Sequence, residues 1–477
     1  MELHIVIQGQ KDLGGQLYAQ LREAIDSGRL AAGARLPPSR LLAEQLGLSR
    51  KTVSDIYAQL TYEGVLVGRV GSGTFVNARV PRHEQRPQAI RYAAQEAIDI
   101  WEALQTRIVH PHTGVTLRAD FLGGASSLNT FPHEDWRRCV HFALRQMQGP
   151  RAVYAQPEGL PSLRDAIARH IAYSRGVQCR DEDVIVCNGA QQALDLLARV
   201  LVRPGTRVAM EDPGYPPARL QFAMQGAEIV SVPVDAEGLC VERIPDGTQL
   251  IYCTPAHQFP LGMPMSEARR QALLARAAEL GAVIVEDDYD SEFRYEGRPH
   301  ETLHSLDRLG LVAYVGTFSK TLLPELRLGY LVVPPGLHPA LLRARQLNDW
   351  HSSTLAQWAL AKFIADGCLL KHIRRCHGIY ATRRERILAR VEGDLSPWLQ
   401  AVPSNAGFHL ALLFKVPVKL PLLVELARKL EVGIYPLDGF YDREPVRQGL
   451  LMGFGAIEKL DIDPALDKLR DLLRQIA

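Results

Sequence analysis

The stretch LVAYVGTFSKTLLPELRLGY, residues 311–330, sets a strand-like apolar run, Leu311 to Val315, against a small polar cluster. That cluster carries one lysine, Lys320, with an arginine, Arg327, seven residues on. A lysine at the end of a buried strand is costly to ionise, so it needs an exit to solvent or a chemical role. Outward from this point the same pattern recurs from residue 120 on. DVIVC (183–187) leads into NGAQQALDLLARVL, RVAME (207–211) leads into DPGY, and LIYCT (250–254) and AVIVE (282–286) follow. Apolar runs alternating with helical stretches predict an α/β domain on a mostly parallel sheet. Ligands of such domains sit beyond the carboxyl ends of the strands, where the residues of interest repeatedly fall.

Four features converge on one ligand. NGAQQAL puts a small-residue turn at a helix start, where the N–H groups of Ala190 and Gln191 are free to hold a phosphate. EDDYD places Asp287 just past a buried strand, within reach of a protonated pyridine nitrogen. Lys320 follows Thr317 and Ser319 at another strand end, and Arg327 offers a two-pronged grip on a phosphate. Each has an ordinary reading alone: a helix start, a strand-end acid, a surface ion pair. Together they meet the needs of pyridoxal 5'-phosphate (PLP), which are an amine for its aldehyde, an acid for its ring nitrogen, phosphate donors and an aromatic face. Tyr215 in EDPGYP is the candidate for that face, and Tyr289 for the ring hydroxyl.

Over about residues 120–477 this set resembles the fold-type I aminotransferases. The resemblance implies that Lys320 in TFSK forms the Schiff base with PLP, that Asp287 pairs with the ring nitrogen and Tyr289 with the ring oxygen, and that Tyr215 stacks on the ring. It implies Thr317, Arg327, Ala190 and Gln191 as phosphate ligands. It also implies a homodimer in which Tyr154, in YAQPEGLPSLRDAIARHI, reaches the phosphate of the partner subunit. Two positions depart from the pattern. HQFPLG puts Phe259 where aminotransferases usually carry an asparagine. In GLLMGFGAI (449–457), Leu451 stands where an arginine would hold the substrate α-carboxylate. Without that fork an amino acid loses a charge-assisted anchor and its orientation for proton transfer. Arg219 is an open alternative as anchor. The expectation is PLP binding with poor full transamination.

The first eighty residues read differently. Asp12 is a candidate N-cap for a helix in which Leu17, Leu21 and Ile25 repeat before Gly28. Ser39 is a candidate cap for SRLLAEQL, which Gly47 ends. Ser49 caps SRKTVSDIYAQLTYE, whose Val53, Ile56, Tyr57 and Leu60 form one apolar face. Two helices about a tight glycine turn form a helix-turn-helix, and VLVGRVGSGTFV, with Gly68, Gly71 and Gly73, reads as a β-hairpin wing. Ser49, Arg50, Lys51 and Thr52 form the end that enters a major groove. Arg40 is placed for the DNA backbone and Arg69 in the wing for a minor groove. The stretches LYAQLREAIDSGRLAAGARLPPSRLLAEQLGLSRKTV and GSGTFV resemble the winged helix-turn-helix of the GntR family over residues 16–76.

These readings give a DNA-binding domain at 10–78, a linker at 79–118 with one helix at 93–104, and an aminotransferase-like domain at 119–477. A smaller C-terminal α/β subdomain begins at about 360. The two signatures on one chain resemble the MocR subfamily of GntR-type transcription regulators. That implies operator DNA, a homodimer, and as effector either PLP or an amine that reacts with it. The absent arginine favours PLP itself. The alternative is a PLP-dependent aminotransferase with an accessory DNA-binding head.

The bulk properties agree. A formal net charge of +2 means that nucleic-acid binding rests on a local basic surface. Seven cysteines without a C-x-x-C pair argue against a zinc cluster or disulfide framework and suit a reducing cytoplasm. No apolar run nears the roughly 20 residues of a membrane helix, and the N-terminus lacks a signal-peptide pattern. The basic stretch KHIRRCHGIYATRRERIL (371–388) reads as a solvated helix face, Cys187 and Cys253 as buried small residues, and the histidines show no metal-site spacing.

Overall fold

The computed structural model describes residues 5–7, 9, 12–69, 71–77, 93–103, 117–148, 153–297, 301–443, 445 and 447–476. The chain divides into two compact units, Met1–Gln105 and Thr106–Ala477.

In the first unit, α1 (Leu13–Asp26), α2 (Ser39–Leu46) and α3 (Arg50–Tyr62) precede a hairpin of β1 (Leu66–Arg69) and β2 (Gly73–Val76). Asp12 caps α1 by accepting from the Gly15 amide, and Ser49 caps α3 by accepting from the Thr52 amide. Ser39 is a correction. The N-cap of α2 is Pro38, with no side-chain bond, and Ser39 occupies the first helical position. Gly47 ends α2 at φ 63°, the left-handed conformation that a glycine adopts without steric cost. Leu17, Leu21, Leu42, Val53, Leu60 and Leu66 are buried together in one core. β1 and β2 are antiparallel, with Leu66 opposite Val76 and Arg69 opposite Gly73, so Gly68 lies inside the strand and Gly71 in the turn. A further helix spans Gln95–Ala103, and most of the expected linker falls outside the described residues.

The second unit is built on an eight-stranded sheet. In spatial order its strands are Val184–Cys187, Gly329–Val332, Val312–Thr317, Val283–Asp288, Leu250–Cys253, Arg207–Asp212, Glu228–Asp235 and Gly238–Leu239. The five from Val312–Thr317 to Glu228–Asp235 are mutually parallel, while Gly329–Val332 runs against both its neighbours. The edge strand Val184–Cys187 and the central strand Leu250–Cys253 are both buried at every position, as expected for a sheet covered on both faces. The C-terminal part adds a four-stranded antiparallel sheet that includes His409–Phe414 and Gly449–Gly453, covered by the helices Cys368–Glu392 and Lys459–Ile476.

Two local expectations change. Asp287 lies within its strand, which continues through Asp288, and not just past it. The basic stretch at 371–388 is only partly solvated. Arg383 and Arg384 are buried, donating to the carbonyls of Gly455 and Ser404, because this face of the helix packs against the antiparallel sheet. Cys187 and Cys253 are fully buried.

Candidate functional site

Parallel pairing gathers the strand ends. Val315 lies opposite Asp287, and Tyr252 opposite Val285, so three chemically different strands open on one edge. Lys320 follows three residues after the strand Val312–Thr317, and its Nζ donates to the Gly124 carbonyl at 2.9 Å. Burial holds its pKa below the ordinary lysine value, against the opposing pull of Asp290 and Asp287. A depressed pKa keeps more of the amine neutral and nucleophilic.

Asp287 is buried, and its Oδ2 accepts from the Tyr252 hydroxyl at 2.7 Å. Its Oδ1 is buried with no hydrogen-bond partner among the described residues. Burial raises its pKa to about 6, with the Tyr252 bond pulling it down. A buried acceptor left unpaired costs roughly 1–3 kcal/mol, which a ring N–H donor would recover.

Two aromatic residues complete the site. Tyr215 feels the charges of both Asp287 and Arg327, and burial pushes its hydroxyl pKa up to about 12. The Tyr289 hydroxyl donates to the His257 carbonyl at 3.0 Å and lies 3.1 Å from His257 Nδ1. Between them the Phe259 ring stands edge-on, 5.6 Å from Tyr215 and 5.8 Å from Tyr289.

A cup forms at the helix Ala190–Leu201, whose first amides, Ala190 and Gln191, have no carbonyl to bond within the helix. Gly189 precedes it at φ 81°, and a Cβ there would stand 3.1 Å from the Arg327 guanidinium. Arg327 is itself left-handed at φ 48°, and its Nη2 donates to the Asn188 carbonyl at 2.9 Å. The guanidinium thus lies beside the helix start, where dipole and cation both favour an anion. Thr317 is buried at the strand end, its Oγ1 accepting from the Ser319 amide at 3.1 Å. The Gln191 side chain turns away to Gln221.

The donor set fits PLP: an amine, an acid with one bare oxygen, an aromatic face and an anion cup. Tyr154 does not join it within one chain. It is 73% exposed and lies tilted against Trp350 with ring centroids 4.6 Å apart. Leu451 is buried in an apolar cluster with Leu261, Met263, Leu437 and Phe440. Arg219 is held by Asp442 at 2.8 Å.

Sequence reasoning missed the groups behind the site. Tyr252 had a signal, since a hydroxyl inside a fully buried strand requires a partner. His257 and Asp290 form a buried pair at 2.8 Å behind Tyr289, and the His409 ring lies 4.5 Å from His257. Ligand-type atoms of His257, Asp290 and His409 lie within 4.8 Å of one another, a juxtaposition that no local spacing announces. Burial, then His257, lower the His409 pKa to about 3.

In the first unit, Arg40, Arg50, Lys51, Arg69 and Gly71 are exposed. The Ser49 and Thr52 hydroxyls bond each other at 2.8 Å, so both are already engaged in the cap. The Arg69 guanidinium lies 5.0 Å from the centre of the Phe75 ring. Arg35 was missed; its guanidinium lies beside Gly73 of the wing.

Residues 13–76 match the family described as bacterial regulatory proteins, gntR family, and residues 126–440 match aminotransferase class I and II. The chain belongs to the helix-turn-helix transcriptional regulators of the GntR family that carry an aminotransferase-like domain, the MocR type. It is 37% identical to the probable rhizopine catabolism regulatory protein MocR of Rhizobium meliloti, over 95% of this chain and 92% of that protein. It is 33% identical to the pyridoxine biosynthesis transcriptional regulator PdxR of Corynebacterium glutamicum, over 97% and 94%. Among solved structures, the chain resembles Pyrococcus horikoshii kynurenine aminotransferase at 26% identity and TM-score 0.70, over 82% of this chain and 97% of that one. Among the described residues, no helix is long and apolar enough to cross a membrane.

Proposed function

We propose that this regulator binds PLP at Lys320 and changes its DNA binding in response to that site's occupancy. Lys320 supplies the amine, Asp287 the partner of the ring nitrogen, Tyr289 that of the ring oxygen, and Tyr215 the stacking face. Ala190, Gln191, Thr317 and Arg327 hold the phosphate. When bound, PLP supplies an electrophilic carbon for amines and an electron sink. The observation that carries this reading is Asp287 Oδ1, buried without a partner beside a lysine whose amine is held toward neutrality.

On the DNA side, the N-terminal turn of α3 with Arg50 and Lys51 reads a major groove, while Arg40 and Arg69 contact the backbone and a minor groove. A homodimer follows from the same reading, with the exposed Tyr154 reaching the partner's phosphate. Regulation requires that the occupant bind two arrangements of the dimer with different affinity. Full transamination is disfavoured because Leu451 and Phe259 offer a substrate carboxylate no donor.

The test is fluorescence anisotropy on DNA from just upstream of the protein's own gene, at one fixed salt concentration, with PLP removed and then restored. The expected result is a change in affinity with PLP that Lys320→Ala abolishes. Equal DNA binding in both states would overturn the proposal that PLP occupancy is sensed.

A further inference from the structure

Resting on that PLP reading, we propose that the space beside Lys320 admits a primary amine with an uncharged, apolar substituent and turns away α-amino acids. The observation is the wall next to the lysine. Lys320 Nζ bonds the Gly124 carbonyl, and one residue earlier a Cβ on Gly123 would stand 2.5 Å from Leu451 Cδ2. Leu451, 1% exposed, is therefore a close neighbour of the loop that receives the amine. It packs with Leu261, Met263, Leu437 and Phe440, and Phe259 joins this group to the Tyr215 and Tyr289 rings. Phe259 meets Phe440 edge-on at 5.1 Å, so the hydrocarbon surface is continuous from the rings to Leu451.

A carboxylate placed there needs a donor, and Arg219, Arg327 and Arg175 are each bonded elsewhere. Arg219 is bonded to Asp442 at 2.8 Å and to the Glu211 carbonyl at 3.1 Å, with Asp212 3.8 Å away. Arg327 lies across Gly189 on the Asn188 carbonyl. Arg175 is paired with Asp288 at 2.8 Å. The other charges felt at Lys320 are the carboxyls of Asp290 and Asp287, which repel an incoming anion. An unpaired carboxylate against hydrocarbon is strongly disfavoured, whereas an apolar substituent gains from leaving water. The missing arginine thus excludes amino acids without excluding amines.

The experiment uses the full-length protein loaded with PLP and follows the visible absorption of the bound cofactor. Two matched pairs are titrated in: 2-phenylethylamine against phenylalanine, and 3-methylbutylamine against leucine. Within each pair only the carboxylate differs. The expected result is that each amine changes the spectrum at a concentration at least ~100-fold lower than its amino acid. In Leu451→Arg that preference should shrink or reverse. If this variant does not fold, the wild-type comparison still decides. An amino acid that matches or surpasses its amine would overturn the proposal, and so would a loaded protein whose spectrum neither amine alters. The absorption recorded before any addition separates these from failure of the PLP reading. A protein that takes up no PLP ends both.

Discussion

The Tyr252 hydroxyl donates to Asp287 Oδ2 at 2.7 Å, while the carboxylate's other oxygen, Oδ1, is a buried acceptor without a partner among the described residues. The two residues stand on adjacent parallel strands. Asp287→Asn should therefore weaken PLP binding by about 10- to 100-fold, the range of a hydrogen bond between charged groups. Tyr252→Phe should cost only a few-fold, since it removes a neutral donor. Titration of the cofactor's absorption in the two variants checks this. A larger loss in Tyr252→Phe would contradict the assignment of Asp287.

The same acid predicts a pH dependence in the cofactor-free protein. Asp287 titrates at about 6 in the fold, against 3.8 for an unburied aspartate. The native state then holds a proton that the unfolded state has released, so this residue's contribution is full below about 3.8 and is lost as pH rises through about 6. Compared with Asp287→Asn, which carries no titrating group, the wild type should lose melting temperature between about pH 4 and about pH 6.5. Melting curves of both proteins across that range test it, and parallel curves would refute it.

Gly189 and Arg327 are coupled by contact. The left-handed φ of 81° and the guanidinium 3.1 Å from any Cβ both oppose a side chain at 189. Gly189→Ala should destabilise the large unit by about 1–3 kcal/mol and weaken PLP binding together. Arg327→Lys keeps the charge but loses the planar fork, and should weaken PLP binding by about tenfold with little change in stability. Paired melting and cofactor titrations distinguish the two outcomes.

On the DNA side, the α3 cap and the α3 charges have separable roles. Arg50 and Lys51 are exposed and make no ion pair among the described residues. Alanine at either should reduce the slope of log affinity against log salt by about one, if each meets a phosphate. Ser49 is occupied by its bonds to Thr52. Ser49→Ala should therefore cost about 1 kcal/mol of stability in the first unit and leave the salt slope nearly unchanged. Anisotropy at several salt concentrations, with urea melts, tests both.

Local rules made much of this protein legible. The Ser49 cap, the buried face Val53, Ile56, Tyr57 and Leu60, and the glycine turn at Gly47 are all contained within one or two helical turns. Lys320 after its strand and Gly189 before its helix are likewise short-range patterns. The Ser39 cap failed because Pro38 already starts the turn, with its ring fixing φ at −52°. Other parts depend on distant pairing. Tyr252 meets Asp287 across 35 residues because two strands lie in parallel register. His257 and Asp290 meet His409 only once the two sheets are packed, and Gly123 meets Leu451 where the chain after Phe121 runs beside the strand Gly449–Gly453. Sequence by itself determined which segments are strands and helices and which residues carry chemistry, since these follow from short-range sterics and periodicity. Only the tertiary structure decided which acid lacks a partner and which wall a ligand meets, because a strand's own pattern does not name its neighbour.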